Sequence, residues 1–265
     1  MIKNNKKLLF MLGIILIVPT LAFTEHFWLG IFSKNTPYSK QKFVSSESLN
    51  KFANAIEKGW SEGYYITEVE YGYGVWMGVL SKGTGYKKQS YISHRDWKKF
   101  EQSVARYKQK GFDLVNIENG EGYWVGILVK GSKYKDIVLE DVRYWDDFRK
   151  VVSKRWSEGY YLIDVEPAEA YWKGIFAKNT AYESQSYDSL DDWEGVGRMV
   201  KKRWKNGFKL RSIEYGNGRW FCLFVKDANS RKEAYETNHE IHNFGKTIQK
   251  RWKKGFHLID LAEGR

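Results

Sequence analysis

Tryptophan and glutamate recur together along this chain, and such pairs can bind sugars or cations. Each of four acids lies six residues before a tryptophan, in the pairs Glu70 and Trp76, Glu118 and Trp124, Glu166 and Trp172, and Glu214 and Trp220. A hairpin turn centred on residue 73 places each acid opposite its tryptophan on the neighbouring strand. The indole then stacks against a sugar ring or a cation beside the carboxylate. The alternative is structural, with a packed ring next to a solvated acid.

A second repeated feature pairs lysine with an aromatic ring. The lysines are Lys34, Lys82, Lys130, Lys178 and Lys226, and in the same register they face Tyr64, Phe112, Tyr160, Phe208 and Phe256. Each contact is worth about 0.5–1 kcal/mol if it is exposed. The sequence leaves two interpretations open, a structural contact between the lysine and the ring or a ring of anion-binding amines around one mouth of the fold.

Nucleophilic and metal-binding residues are few. Cys222 is the single cysteine, and it stands where other copies of the repeat have Gly30, Gly78, Gly126 and Gly174, which indicates a small strand residue. His239, His242 and His257 share its part of the chain, but nothing in the sequence brings a base within reach of the thiol. There is no HExxH, CxxC or G-x-S-x-G motif. We therefore predict no catalytic residue, no metal and no cofactor, which favours a non-enzymatic role.

These residues are positioned by a period of 48 residues without insertions or deletions. It is defined by Trp28, Trp76, Trp124, Trp172 and Trp220, and by Gly63, Gly111, Gly159, Gly207 and Gly255. A period of this length dictates the architecture. Each unit predicts two strands, a helix of four to five turns and a third strand. We expect the helix to start at the residues Ser45, Ser93, Asp141, Ser189 and Thr237 and to stop at the recurring glycine.

The positions in the repeat at which the chain starts and ends predict how the units assemble. After the leader, the chain starts with a predicted central strand, residues 27–34, that lacks its hairpin partner, and it ends with a lone partner strand, residues 256–263. Pairing these strands removes two exposed edges. We predict an α/β closed five-fold toroid of β-β-α-β repeats, propeller-like or pentein-like, in one domain over 25–265, with units starting near 28, 76, 124, 172 and 220. An open solenoid is the alternative.

The N-terminus and the charge suggest where the protein acts. A basic start is followed by an apolar run of 16 residues, 8–23, which predicts a signal peptide or an uncleaved N-terminal anchor over residues 1–22. A secreted, periplasmic or cell-surface protein is therefore expected. The net charge of +12 favours anionic partners. Acids are mixed among the bases, so nucleic acid is the least favoured partner. Membrane contact is expected only through the N-terminal segment.

The string WSEGYYITEVEYGYGVWMGVLSKGTGYKKQ at residues 60–89 resembles a known uncharacterised repeat module. That module is found C-terminal to the kinase domain of plant casein-kinase-I-like proteins and in bacterial caspase-like proteins. The similarity extends over residues 25–265 and is weaker around Cys222 and in the stretch 227–229. The resemblance implies a recognition or scaffolding module and carries no catalytic residues.

Three functions follow as hypotheses. The first is an exported binding or scaffold module that recognises a protein or an envelope polymer, possibly anionic. The second is a lectin-like protein that uses the tryptophan–glutamate pairs. The third is a pentein-type enzyme that modifies guanidines, which requires Cys222 to be reachable by solvent and close to a histidine and an acid.

Overall fold

The computed structural model describes residues 26–228 and 232–265. The predicted leader at residues 1–22 lies outside these ranges. Five helices of 13 residues, each about 20 Å long, carry one apolar stripe apiece: α1 (Leu49–Ser61), α2 (Trp97–Gln109), α3 (Trp145–Ser157), α4 (Trp193–Lys205) and α5 (Ile241–Lys253). No helix in the described ranges is long and apolar enough to cross a membrane.

Fifteen strands form five antiparallel sheets of three strands each. The middle strands are β1 (Phe27–Ser33), β4 (Val75–Lys82), β7 (Tyr123–Lys130), β10 (Trp172–Lys178) and β13 (Arg219–Lys226). The strands that follow a helix are β3 (Tyr65–Gly72), β6 (Asp113–Gly120), β9 (Tyr161–Glu166), β12 (Lys209–Gly216) and β15 (His257–Gly264). The strands that precede a helix are β2 (Lys40–Ser46), β5 (Lys88–His94), β8 (Lys135–Val142), β11 (Ser184–Leu190) and β14 (Glu233–Asn238). The fold is thus α/β with a repeated unit.

Each structural unit runs strand, helix, strand, strand along the chain. In the first unit β2, α1, β3 and β4 follow one another, and the sheet order is β2-β4-β3. The middle strand is buried along nearly its whole length, as expected for a strand that is covered on both faces. The predicted β-β-α-β units start at the middle strands, so each observed sheet contains two strands of one predicted unit and the middle strand of the next.

The first and last strands of the described chain belong to one sheet. β1 lies between β14 and β15, and Leu29 is opposite Ala262 in the β1–β15 ladder. The fifth sheet is therefore assembled from both ends of the chain.

The helix starts differ from the prediction. The N-caps lie three residues later than predicted, at Ser48, Asp96, Tyr144, Asp192 and Glu240. Positions such as Ser45 and Ser93 end the preceding strand instead, because those strands pair with the middle strand as far as residues 46 and 94. Asp96 accepts the Lys99 amide at 2.8 Å. The strand ladder thus overrode a local capping pattern.

The helix ends agree with the prediction. Gly63 has φ +77°, its amide bonds to the Trp60 carbonyl, and the Tyr64 amide bonds to the Gly59 carbonyl. This 6→1 and 5→2 pair is the Schellman motif, which requires a left-handed residue and so favours glycine. The same two bonds recur at the end of every helix in the described chain.

Candidate functional site

The tryptophan–glutamate pairing predicted from the sequence is wrong by one residue. The hairpin has two loop residues, Tyr73 and Gly74, both with positive φ, and this turn places Tyr71, not Glu70, opposite Trp76. The other predicted pairs are displaced in the same way: Glu118 is opposite Val125, Glu166 is opposite Lys173 and Glu214 is opposite Phe221. Neighbours across an antiparallel ladder share a face, so the acids and the tryptophans lie on opposite faces.

The tryptophan rings are part of the core. Trp76, Trp124, Trp172 and Trp220 are at most 2% exposed. Trp97 lies 4.8 Å from Trp124, and the amine of Lys173 lies 4.6 Å from the centroid of the same ring. A covered indole presents no face to a sugar. Their burial supports the structural interpretation of these residues.

The glutamates connect neighbouring units. Glu70 accepts the Glu263 amide at 2.8 Å, and backbone amides of Tyr71 and Asn119 bond to Glu118 and Glu166. In the repeat, the corresponding donor for Glu214 is residue 167, a proline, which has no N–H. Burial raises the pKa of all four glutamates.

The predicted lysine–aromatic contacts are confirmed at all five positions. The amine-to-centroid distances are 4.5–4.9 Å, for Lys34 with Phe256, Lys82 with Tyr64, Lys130 with Phe112, Lys178 with Tyr160, and Lys226 with Phe208. Their use for anions stays a prediction.

Cys222 does not meet the requirement of the enzyme hypothesis. The residue is fully buried among apolar side chains that include Val196 and Leu210. Burial raises the pKa of its thiol, so the thiolate is disfavoured. Within the two described ranges, no three His, Cys, Asp or Glu side chains are arranged to hold a metal ion.

A different set of residues converges where the units meet. The strands that follow the helices contact one another in the order β3, β6, β9, β12, β15, and β15 also contacts β3. Side chains on these strands therefore approach each other from several units. We call the residues described in the next three paragraphs the axial cluster.

Four tyrosines form one part of the axial cluster: Tyr38, Tyr86, Tyr134 and Tyr182. Each loop is held locally, because the tyrosine amide donates to a hydroxyl two residues earlier, from Thr36, Thr84, Ser132 or Thr180, at 3.2–3.4 Å. Such turns fix where the loop places its side chain. The four side chains are half-buried, and burial raises the pKa of Tyr38, Tyr86 and Tyr134.

Arg211 lies among these tyrosines. Its Nε donates to the Tyr182 hydroxyl at 3.2 Å and its Nη1 to the Ile259 carbonyl at 3.4 Å. Burial opposes its charge, but interactions with Tyr182, Glu68 and other acidic groups outweigh burial and raise the pKa of Arg211. The guanidinium is half-buried and makes no ion pair with any described carboxylate. A planar group with five donors is suited to binding a carboxylate.

Carboxyl groups form the remaining part of the axial cluster. Glu68, Asp164 and Asp260 occupy one repeat position, and burial raises the pKa of each, that of Asp164 to about 6. Asp164 accepts the Ile117 amide at 2.8 Å. Asp260 accepts the Ile213 amide at 2.9 Å. Asp164 and Asp260 thus join adjacent strands, and the raised pKa of all three carboxyl groups extends their neutral form to higher pH.

The sequence analysis missed Arg211. In the other units its position holds Thr67, Val115, Ile163 and Ile259. A single arginine at a position that is otherwise apolar or small was the signal that could have found it.

Comparison with known proteins is consistent with a repeat module. One family model matches the chain twice, over residues 13–169 and residues 98–264. The two overlapping matches extend over nearly the whole chain, as expected for repeated units. No curated protein matches the sequence. The chain belongs to the family described as Domain of unknown function (DUF7477).

Proposed function

We propose that this protein is an exported, non-enzymatic binding module that recognises a carboxylate-bearing protein or envelope polymer at the axial cluster. The observation that carries the proposal is Arg211, a half-buried guanidinium that donates to Tyr182, lies within electrostatic range of Tyr38, Tyr86 and Tyr134, and makes no ion pair among the described residues. Tyrosine rings provide rigid contact area and hydroxyl donors, and arginine provides paired N–H groups. Together they form a set of donors that complements an anion, beside the carboxyl groups of Glu68, Asp164 and Asp260, whose charge burial opposes.

We further propose that the five units close into a toroid, propeller-like or pentein-like, with the axial cluster on its axis. The β1–β15 ladder and the contacts of β15 with both β3 and β12 support this proposal. Closure leaves no end unit with an unpaired strand edge. The binding site would then be built from several units, so that its shape depends on the complete ring.

The net charge supports an anionic partner, and the leader supports export as an expectation from the sequence. The resemblance to modules appended to kinases and caspase-like proteins is consistent with recognition rather than catalysis. A lectin-like function through the tryptophans is not proposed, because all four rings are buried and Trp97 and Lys173 cover Trp124.

Isothermal titration with poly-L-glutamate tests the binding proposal, with dextran as an uncharged polymer. We expect saturable binding of poly-L-glutamate that is at least about tenfold weaker in Arg211→Met, since a charge-assisted hydrogen bond contributes about 1.5–3 kcal/mol. Arg198→Met is the matched control, because Arg198 is largely exposed on α4 and pairs only within its helix, with Glu194.

Equal loss of affinity in Arg211→Met and Arg198→Met would show that binding follows net charge and would contradict an axial site. Absence of saturable binding to poly-L-glutamate would contradict the carboxylate as the recognised group.

A further inference from the structure

At four of the five junctions between units in the described chain, one side chain bonds to both an indole N–H and a backbone amide. We call this arrangement the clip. At the junction after α1, Gln89 Oε1 accepts the Trp60 indole N–H at 2.7 Å and the Ile66 amide at 2.8 Å, and its Nε2 donates to the Ile66 carbonyl at 2.7 Å. Gln185 and Gln41 repeat these bonds after α3 and α5. Glu233 accepts the equivalent two N–H groups after α4. The hydrogen bonds of the indole and the backbone amide are thus satisfied at each of these junctions, and a pocket of about 200 Å³ remains beside Trp204 and Glu233 after α4.

The junction after α2 lacks both parts of the clip. Lys108 stands at the position of the tryptophan and Ile137 at that of the glutamine. The Lys108 amine turns to the Ile137 carbonyl at 3.1 Å. Ile137 has no polar side-chain atom for the Leu114 amide, whose counterparts all bond to a clip residue.

A cavity of about 290 Å³ occupies this junction. Its walls are mainly apolar and include Val104, Phe112, Leu114, Ile137 and Leu139. This volume is close to the lower end of the range for ligand pockets. The cavity lies where the other junctions hold an indole, and it is larger than the pocket of about 200 Å³ beside Trp204, as expected where a flexible chain replaces a large ring.

The rim of the cavity limits the charge of its ligand. Lys108 contributes one positive group, and Glu101 and Asp113 contribute two acidic groups. This net negative charge disfavours an aromatic acid, and the apolar walls favour a neutral group over a cation. An amide next to an aromatic ring reproduces the two missing parts of the clip, with an acceptor for the Leu114 N–H.

We propose that this cavity receives an aromatic side chain of a partner polypeptide, with the backbone amide of that residue in place of the glutamine carboxamide. The ring packs among Phe112, Leu114 and Leu139, and Leu139 stands where Tyr91, Tyr187 and Tyr235 contact the chain's own tryptophans. This site is separate from the axial cluster and does not depend on the carboxylate proposal.

NMR titration with N-acetyl-tryptophanamide tests this inference, with indole and N-acetylalaninamide as the two halves of the probe. We expect saturable shifts that include the amides of Leu114 and Leu139, and at least about fivefold weaker binding of either half. Indole binding as tightly as N-acetyl-tryptophanamide would overturn the assignment to a polypeptide, as would the absence of saturable shifts.

Restoring the clip gives the decisive variant. Lys108→Trp combined with Ile137→Gln refills the junction with the residues found at the other junctions, so the protein should remain folded and lose binding at least tenfold. Lys108→Ala removes the amine but keeps the space, and it should bind within about twofold of the wild type. Unchanged binding in the restored clip would overturn the site. Arg211→Met should leave binding of this probe intact, which separates this test from that of the axial cluster.

Discussion

Cys222 and Val196 jointly replace a glycine and a phenylalanine that face each other in the other four units. In those units the glycine is Gly30, Gly78, Gly126 or Gly174, and a Cβ added there would lie 2.8–3.1 Å from the ring of Phe244, Phe52, Phe100 or Phe148, respectively. Val196 occupies the phenylalanine position and lies with Cys222 in one buried cluster. A smaller helix residue therefore accompanies the larger strand residue.

We expect Gly126→Cys alone to destabilise the protein by about 1–3 kcal/mol, because the new side chain overlaps Phe100. Phe100→Val alone should cost about 2–4 kcal/mol by leaving a cavity. The double variant should be more stable than the sum of the two losses predicts, by at least about 1 kcal/mol. Urea unfolding of the four proteins measures this coupling, and strictly additive losses would contradict the paired replacement.

The glutamine clip predicts that substitutions of Gln185 lower the stability by different amounts. Gln185→Ala leaves the Trp156 indole N–H and the amide and carbonyl of Leu162 without their partner, and we expect a loss of about 3 kcal/mol or more. Gln185→Glu should cost less, since Glu233 serves the same two N–H groups in the next unit. Chemical denaturation ranks the variants, and equal losses would mean that the hydrogen bonds contribute little.

Asp164 predicts a pH dependence of stability. Burial raises its pKa from 3.8 to about 6 in the folded protein. The folded state therefore binds the proton more tightly than the unfolded state, and this contribution to stability is full below pH 3.8 and is lost as the pH rises to about 6. The change is at most about 3 kcal/mol.

Asp164→Asn removes this titration. We expect the variant to be less sensitive than the wild type to a change from pH 4 to pH 7, as measured by the free energy of unfolding in urea at both pH values. Asp146→Asn, which alters an exposed acid of α3, is the control. A wild type and an Asp164→Asn variant with identical pH profiles would refute the assigned shift.

The stability of a Trp124→Ala variant tests whether the repeated tryptophans have a structural role or a binding role. The Trp124 ring is 1% exposed and packs against Trp97, so we expect Trp124→Ala to cost about 3–5 kcal/mol. Thermal and urea unfolding give the result directly. A variant with unchanged stability would restore the surface interpretation of these tryptophans.

The sequence predicted the features that depend on repetition. The period of 48 residues identified the helix-terminating glycines and the five lysine–ring contacts, because each depends on residues in fixed phase. It also predicted that the strands at residues 27–34 and 256–263 pair, as β1 and β15 do.

Other features depended on single residues or on the exact turn. One extra loop residue assumed at the hairpin was enough to place the acids opposite the tryptophans, because a shift of one residue reverses the face of a strand. Arg211 and the junction after α2 each arise where one unit departs from the repeat. A residue that occurs in one unit only does not contribute to the periodic pattern, so the period could not identify these positions.

Ring closure is tested most directly by a cross-link between β1 and β15. Leu29 and Ala262 are opposite each other and buried in one cluster, and opposed residues in an antiparallel ladder lie within disulfide range. In a Cys222→Ala background, Leu29→Cys with Ala262→Cys should form an intramolecular disulfide in the native protein and not in urea. Leu29→Cys with Ile117→Cys should form none. A native Leu29→Cys, Ala262→Cys protein that keeps two free thiols under mild oxidation would contradict the pairing of the chain ends, and with it the toroid and its axial site.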